Sequence, residues 1–489
     1  MKRLAQYFIV FGSLMALLSC EKFLDVEPEF TQDAENYFSN PQDYELALIG
    51  AYDLLQTSFL TQWIGEIASG HSIAGGESVT DTQGLHEIEN MTHNAQNNEL
   101  RSLFQFQYTG IARCNYIMEN KDNIEFDEKN RVIGETRFLR AYYYFELVKY
   151  FGGVPLIVDK RLGADEVTEI DRASAAEVYA QIEADLEFAA ANLSYGRFEK
   201  GRADKGAALA LLGKVYLYQD KFTEAANVLD QVITEGGYGL VPEFADIWPV
   251  ANENNEETVF DIEYTGLEGG SYGCFVCLEG NAAVGFHGIR QFDGPVYGDG
   301  NSYNLPTEDL YNAFAAADPR RDITVLDIDA WIADQPNPGS ISYAIGGGGH
   351  TGYYNNKYLK RQGEIGLPDN DLTSPVNYKV IRYADVLLMA AEAHNRSGND
   401  ASALPLLNQV RDRVGMPPIS SGGSQLTDDI WNERVLELGG EGYHFWDLVR
   451  TGRAPLEIDG FIAGKHELFP IPQIEIDLAG GNWQQNPNY

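Results

Sequence analysis

Two distant stretches of the chain share one plan, in which an apolar helix, a short polar turn and a second helix follow each other. The first runs from Asp204 to Tyr238 and turns at Gln219–Lys221. The second runs from Val380 to Val414 and turns at Gly398–Asp400. A helix pair of this kind cannot bury its apolar face alone, so copies have to stack on one another. This pattern predicts a mainly α fold.

Each copy resembles a tetratricopeptide (TPR) unit, and two looser copies run from Arg137 to Leu193 and from Tyr44 to Met118. Apolar periodicity and capping residues predict the helices Pro41–Phe59, Leu100–Met118, Glu135–Phe151 and Ser174–Leu193. We therefore expect four TPR-like helix pairs in a right-handed array, followed by a loop-rich, irregular second half.

The domain boundaries follow from these patterns. We expect residues 1–19 to be a lipoprotein signal peptide and residues 20–489 to form one domain. Within it we predict a tether (20–40), TPR-like helices (41–240) with an insertion (60–99), a loop-rich segment (242–377), a further TPR-like pair (378–415) and a C-terminal packing segment (416–489).

The N-terminus carries a processing signal. Lys2 and Arg3 precede the apolar run Tyr7–Leu18, which is too short to span a bilayer and suits the apolar region of a signal peptide. Cys20 follows where the apolar run ends, as at a bacterial lipoprotein processing site, although Leu18 is larger than the residue usual there. We predict that Cys20 is lipidated. A generic signal peptide with an incidental cysteine is the alternative.

Charge and cysteine content restrict the partners and the stabilising bonds. The formal net charge is −38, which disfavours a nucleic-acid partner. Beyond Cys20 the chain has Cys114, Cys274 and Cys277. The last two lack the second pair that a structural zinc site needs, so they form either an isolated thiol pair or a local disulfide.

No motif indicates catalysis. Gly269–Gly273 matches G-x-S-x-G, but no strand leads directly into it and no helix is predicted after it. The eight histidines have no metal-ligand spacing. We expect no enzyme activity, no metal site and no cofactor. Trp431 and Trp446 lie in helical sequence and are predicted to be core residues.

Several aromatic residues lie in loop-like, glycine-rich sequence. Rings on loops, flanked by amides and carboxylates, are typical of sugar recognition, because a sugar's C–H face stacks on an aromatic plane. The alternative is that these rings pin long loops to the helices. The candidate glycan-binding residues are Trp63, Tyr272, Phe275, Phe286, Trp331, Tyr353 and Tyr354.

The chain resembles the SusD/RagB family of surface nutrient-binding lipoproteins almost from end to end. The similarity is carried by Cys20–Pro28, Arg137–Pro155, Arg382–Ala393, Glu433–Arg450, and the closing Pro470–Pro472 with Gln485–Pro487. Gly439-Gly440 and Asn488 depart from the family pattern.

The resemblance implies glycan capture at the outer face of the outer membrane, with the protein held there by its lipid anchor. It implies a SusC-like TonB-dependent transporter as partner, delivery of oligo- or polysaccharide to it, and no catalysis. It also suggests that Asp81 faces the site. The alternatives are a RagB-like peptide-binding lipoprotein and a TPR scaffold that binds protein partners only. The identity of the sugar stays open, as does calcium binding.

Overall fold

The structure is a computed structural model that describes residues 37–163, 166–274, 277–364 and 372–489. The predicted signal peptide, the lipidation site Cys20, most of the tether and the candidate residue Phe275 lie outside these residues.

The first half of the described chain is helical, as predicted. Its helices are α1 (Pro41–Asp53), α2 (Phe59–Ile67), α3 (Gln83–Glu89), α4 (Asn98–Asn120), α5 (Lys129–Phe151), α6 (Ala175–Asn192), α7 (Lys205–Leu217) and α8 (Phe222–Glu235). Strand β1 (Ser72–Gly75) lies between α2 and α3.

Side-chain caps set several helix starts. Ser174 and Glu177 form a capping box before α6, as predicted, and Asp204 accepts a hydrogen bond from the Ala207 backbone N–H at 2.8 Å before α7. The prediction of one helix over Pro41–Phe59 is wrong in part, because α1 ends at Asp53 and a 3₁₀ turn over Leu54–Ser58 follows.

The second half contains short elements between long loops. They are α9 (Ala282–His287), α10 (Glu308–Ala313), α11 (Arg320–Thr324), α12 (Ile328–Ala333), β2 (Thr258–Ile262), β3 (Ile289–Arg290), β4 (Asp299–Gly300), β5 (Tyr303–Pro306), β6 (Val325–Asp327), β7 (Tyr353–Asn355) and β8 (Tyr378–Arg382). Longer helices return at the end: α13 (Tyr383–Arg396), α14 (Asp400–Arg413), α15 (Gly423–Leu438), α16 (His444–Arg450), α17 (Ala454–Glu457) and α18 (Gln473–Leu478).

The helices stack in a continuous series. Each of α4 to α7 packs on the next, and α13 packs on α8 and on α14, although α8 ends at Glu235 and α13 begins only at Tyr383. A Cβ added to Gly213 would lie 2.5 Å from Leu229 Cγ, so glycine is needed for the close approach of α7 to α8. The mainly α fold and the contact between distant helix pairs are confirmed. Their TPR-like geometry stays a prediction.

Two antiparallel strand pairs connect distant segments, and the first of them joins the two halves. β1 pairs with β5, with Ser72 opposite Pro306, and β2 pairs with β8, with Thr258 opposite Arg382. The helix predicted to start at Val380 therefore begins only at Tyr383, because Val380–Arg382 belong to β8.

The structure also tests the predictions about the two tryptophans in helical sequence and about the cysteines. Trp446 is 2% exposed and is a core residue, while Trp431 is only partly buried. Cys274 and Cys277 form a disulfide, and Cys114 is a buried free thiol. Among the described residues, no helix combines the length and the apolar character needed to cross a membrane.

The core contains a cluster of buried charges centred on Arg382. The side chain of Arg382 is 1% exposed, and its guanidinium donates to the carboxylates of Glu257 (2.7 Å), Glu437 (2.5 Å) and Glu441 (2.9 Å). Arg413 also binds Glu257 and Glu437. These contacts tie β8 to the residues before β2 and to the end of α15.

Further cations balance the same carboxylates. Lys357 contacts Glu441 at 2.7 Å, and Arg320 contacts Glu437 at 3.0 Å. Burial alone would raise the pKa of Glu437, but the surrounding arginines hold that pKa well below its usual value. The carboxylate therefore stays ionised although it is buried.

Arg382→Leu is expected to destabilise the fold by about 3–5 kcal/mol, because it leaves buried carboxylates without their shared cation. Arg161→Leu is the matched control. It removes an arginine whose side chain is 46% exposed and pairs with Glu119, and it is expected to change the free energy of unfolding by less than about 1 kcal/mol. Chemical denaturation of both variants measures the difference. If both variants lose the same free energy of unfolding, Arg382 does not have the central role in the fold.

Glu66 is a second buried acid, on α2. Its Oε1 accepts a hydrogen bond from the Gly442 backbone N–H at 2.6 Å, and its Oε2 has no hydrogen-bond partner among the described residues. Burial raises the pKa of Glu66 to about 7, although the Gly442 N–H and Lys357 oppose the shift. Folding therefore takes up a proton at this site between about pH 4.5 and pH 7.

Glu66→Gln is expected to gain stability relative to the natural protein as the pH rises from 4.5 to 7, because only the natural protein then has to take up a proton on folding. The pKa rise, 7 minus 4.5, corresponds to a difference of up to about 3 kcal/mol above pH 7. Urea unfolding at several pH values measures it. Glu125→Gln, whose side chain is 85% exposed, should show no such trend. The prediction is contradicted if the free energies of unfolding of Glu66→Gln and of the natural protein differ by the same amount at every pH from 4.5 to 8.

Candidate functional site

The candidate site begins where loops from the two halves of the chain meet. One loop follows β1, and the other contains the glycine run Gly346–Gly349. The Gly347 N–H donates to the Glu77 carbonyl at 2.7 Å. A Cβ on Gly348 would lie 2.0 Å from the Gly75 carbonyl oxygen. The glycines therefore let one backbone lie directly against the other.

Asp81 lies half-buried in the first of these loops. Its Oδ2 accepts hydrogen bonds from the Tyr303 hydroxyl and from the Glu77 backbone N–H, the latter at 3.3 Å. Tyr303 is the first residue of β5, so the pairing of β1 with β5 sets this contact. Burial raises the pKa of Tyr303, and the hydrogen bond to Asp81 raises it further. The Tyr303 hydroxyl therefore stays protonated and acts as a donor.

A platform of buried rings lies behind Asp81. It consists of Trp63, Phe286 and Tyr303, which are 3%, 8% and 6% exposed. The rings of Trp63 and Tyr303 stack at 5.7 Å between centroids, and Phe286 meets Trp63 edge-on at 5.1 Å. Because each ring is fixed by two others, the platform is rigid.

A polar contact fixes the platform from below. The Trp63 indole Nε1–H donates to His287 Nε2 at 2.8 Å, and the Asn304 amide lies 3.2 Å from the same nitrogen. Since Nε2 accepts from Trp63, the His287 proton is assigned to Nδ1. Burial lowers the pKa of His287 to about 3. The platform therefore keeps its charge state across the physiological pH range.

Tyr272 extends the platform to the surface. It is 56% exposed and meets the edge of Phe286 at 6.3 Å between ring centroids. The ring is therefore held by a buried neighbour and is still more than half exposed.

Charged and apolar side chains complete the surface. Arg290 pairs with Glu77 at 3.2 Å. Val79 and Ile345, on the two touching loops, are 61% and 65% exposed. We use "loop face" for Glu77, Val79, Asp81, Tyr272, Arg290 and Ile345.

Two candidate residues have other neighbours. Trp331 is partly buried against Phe292 and Tyr297, with ring centroids 6.2 and 5.0 Å away. Tyr353 stacks on Tyr311 at 4.8 Å. Neither belongs to the loop face, so their role in ligand binding stays a prediction.

The expectation of rings open to stacking is wrong for three candidates. Trp63, Phe286 and Tyr354 are buried, at 3%, 8% and 0% exposure, so their faces are covered by protein. Trp63 was assigned to a loop-like insertion, but it lies on α2, a helix in which every residue is buried. For these residues the alternative, rings that pin loops to the fold, describes the structure.

Sequence reasoning missed Glu77, Arg290, Tyr303 and His287. The run Gly346–Gly349 is the sequence feature that could have indicated the position of the loop face, because consecutive glycines allow two backbones to approach closely. No pattern in the sequence indicates which loop it approaches.

The G-x-S-x-G match does not form a nucleophile elbow. β2 ends at Ile262, well before the motif, and Ser271 lies in an exposed turn. Its Oγ accepts a hydrogen bond from the Gly273 N–H at 3.1 Å.

A cleft of about 600 Å³ lies elsewhere, between α4, residues 155–170 and Trp483. None of the predicted glycan-binding residues lines it. The candidate site is thus an open surface outside this cleft. Within the described ranges, no three His, Cys, Asp or Glu side chains are grouped to hold a metal ion.

Comparison with known proteins identifies the chain's relatives. The model described as "SusD family" matches residues 257–466, and that described as "Starch-binding associating with outer membrane" matches residues 22–217. SusD-like protein P38 of Formosa agariphila is 28% identical, over 95% of this chain and 94% of that protein.

Solved structures of similar proteins indicate the same family. A laminarin-binding SusD-like protein is 35% identical with a TM-score of 0.83, over 92% of this chain and 100% of that chain. Surface glycan-binding protein A from Bacteroides thetaiotaomicron, in complex with laminarihexaose, is 25% identical with a TM-score of 0.80, over 92% and 100%. On this likeness across nearly its whole length, the chain belongs to the SusD family.

Proposed function

We propose that this protein is a cell-surface glycan-binding lipoprotein that captures oligo- or polysaccharide and delivers it to a SusC-like TonB-dependent transporter in the outer membrane. The observation that carries the proposal is Tyr272, an exposed ring that contacts Phe286, which packs in turn against Tyr303, the hydrogen-bond donor to Asp81.

The chemistry of the loop face suits a sugar. A pyranose ring stacks its C–H face on the exposed part of Tyr272, while Asp81, Glu77 and Arg290 offer acceptors and donors to the hydroxyls. The buried platform fixes Tyr272 and Asp81 before ligand arrives, which lowers the entropy lost on binding. An open surface also admits the middle of a long chain, whereas a closed pocket would admit only an end.

Laminarin is the first ligand to test, because the structural neighbour that is 35% identical is a laminarin-binding protein. The protein is proposed to be non-catalytic. In support, Ser271 lacks the strand–turn context of a nucleophile elbow.

The anchor and the transporter belong to the same proposal. Lipidated Cys20 would hold the protein at the outer membrane, in line with the family description "Starch-binding associating with outer membrane". A net charge of −38 suits neutral glycans better than anionic ones.

Tyr272→Ala is expected to weaken laminarihexaose binding roughly tenfold, because it removes the exposed stacking surface. Phe198→Ala is the matched control: Phe198 is also 56% exposed but packs under Arg131 on the helical side, and it should leave binding unchanged. Isothermal titration measures both.

If Tyr272→Ala binds laminarihexaose as tightly as the natural protein does, the loop face is not the binding site. A thermal-shift panel of neutral glycans and peptides tests the ligand class. If only peptides stabilise the protein, the glycan proposal fails and the RagB-like alternative replaces it.

Cys20→Ala is expected to release the protein from the outer membrane and to abolish its co-purification with a TonB-dependent transporter from solubilised membranes. The readouts are membrane fractionation and mass spectrometry of the captured partners, with the lipidated natural chain as control. A natural chain that captures no such transporter would contradict the delivery step.

A further inference from the structure

The loop that carries Tyr272 is anchored at both ends. At its base, the Thr265 N–H donates to the Glu279 carbonyl at 2.8 Å, and the Asn281 N–H donates to the Ser374 carbonyl at 2.8 Å. Between these points Leu267 is 88% exposed and Tyr272 is 56% exposed. The burial of these two side chains therefore contributes little to the order of the backbone that carries them.

The Cys274–Cys277 disulfide lies two residues after Tyr272. It links residues three apart in sequence, with Cα atoms 5.4 Å apart. Tight turns interlock with it: the Cys274 N–H donates to the Ser271 carbonyl at 3.0 Å, and the Cys277 N–H donates to the Cys274 carbonyl at 3.2 Å. The crosslink therefore fixes the backbone immediately beside the Tyr272 ring.

This crosslink contributes little to the global fold. A disulfide stabilises chiefly by closing a loop in the unfolded chain, and a loop this short loses little entropy on closure. Cys274 is partly buried and Cys277 is exposed, and neither takes part in the ion pairs around Arg382. The effect of the crosslink must therefore be local.

We propose that the Cys274–Cys277 disulfide is a positioning element of the binding site, which holds the exposed Tyr272 ring in the orientation that stacks on a glycan. The inference rests on the proposed function. Phe286 holds the edge of the ring, and the disulfide holds the backbone that carries it. Without the crosslink, the loop tip has to lose its conformational freedom when the ligand binds.

The test compares the natural protein with Cys274→Ser/Cys277→Ser in titrations with laminarihexaose. The double variant is expected to bind about tenfold more weakly, with a less favourable entropy of binding and an unchanged Tm. A phosphine reductant should reproduce the loss in the natural protein and have no effect on the double variant. Equal affinity of the two proteins would overturn the proposal.

Hydrogen exchange of residues 266–274 separates this inference from the proposed function. Faster exchange in the double variant, confined to this loop, supports the positioning role whether or not laminarihexaose binds. Unchanged exchange overturns it. If the natural protein binds no glycan of the panel but exchange in the loop still accelerates, the proposed function fails and the disulfide's ordering of the loop stands.

Discussion

The structure depends on one buried cation. Arg382 ends β8 and directly precedes α13. Its guanidinium binds three carboxylates, which come from the residue before β2, the last turn of α15 and the loop after α15. Removing ions from water is unfavourable, so such a cluster persists only when every member has partners. The cost of a missing partner makes the arrangement specific: the irregular half of the chain can attach to the helices in only one way.

That attachment brings remote loops to one surface. The stacked helices fix α2, and with it Trp63, while β1 and β5 pair across the two halves. Asp81 and Tyr303 are far apart in sequence, yet they share a hydrogen bond because of this pairing. The loop face is thus a product of the whole fold and not of one local motif. A fold of this kind positions its candidate ligand-binding loops through long-range contacts.

The sequence predicted the regular part of the fold well, because periodicity and caps act locally: the Ser174–Glu177 capping box and the helix pair after Asp204 are present as predicted. Tyr272 and Asp81 were predicted as ligand-binding residues, and that role stays a prediction. Burial was not predictable in the same way. The helix around Trp63 has a polar stripe that includes Thr61, Gln62 and Glu66, as a surface helix has, yet the fold buries this stripe as well. Its covering rings, Phe286 and Tyr303, come from distant segments.

The backbone contact at Gly348 has a consequence for how ligand preference can change. Where two loops touch through main-chain atoms, their relative position does not depend on the side chains that they display. Val79 and Ile345 project from this junction into solvent. Substituting them alters the shape and polarity offered to a ligand without repacking anything beneath. The scaffold thus separates the residues that can vary from those that cannot, and one fold can serve chemically different glycans.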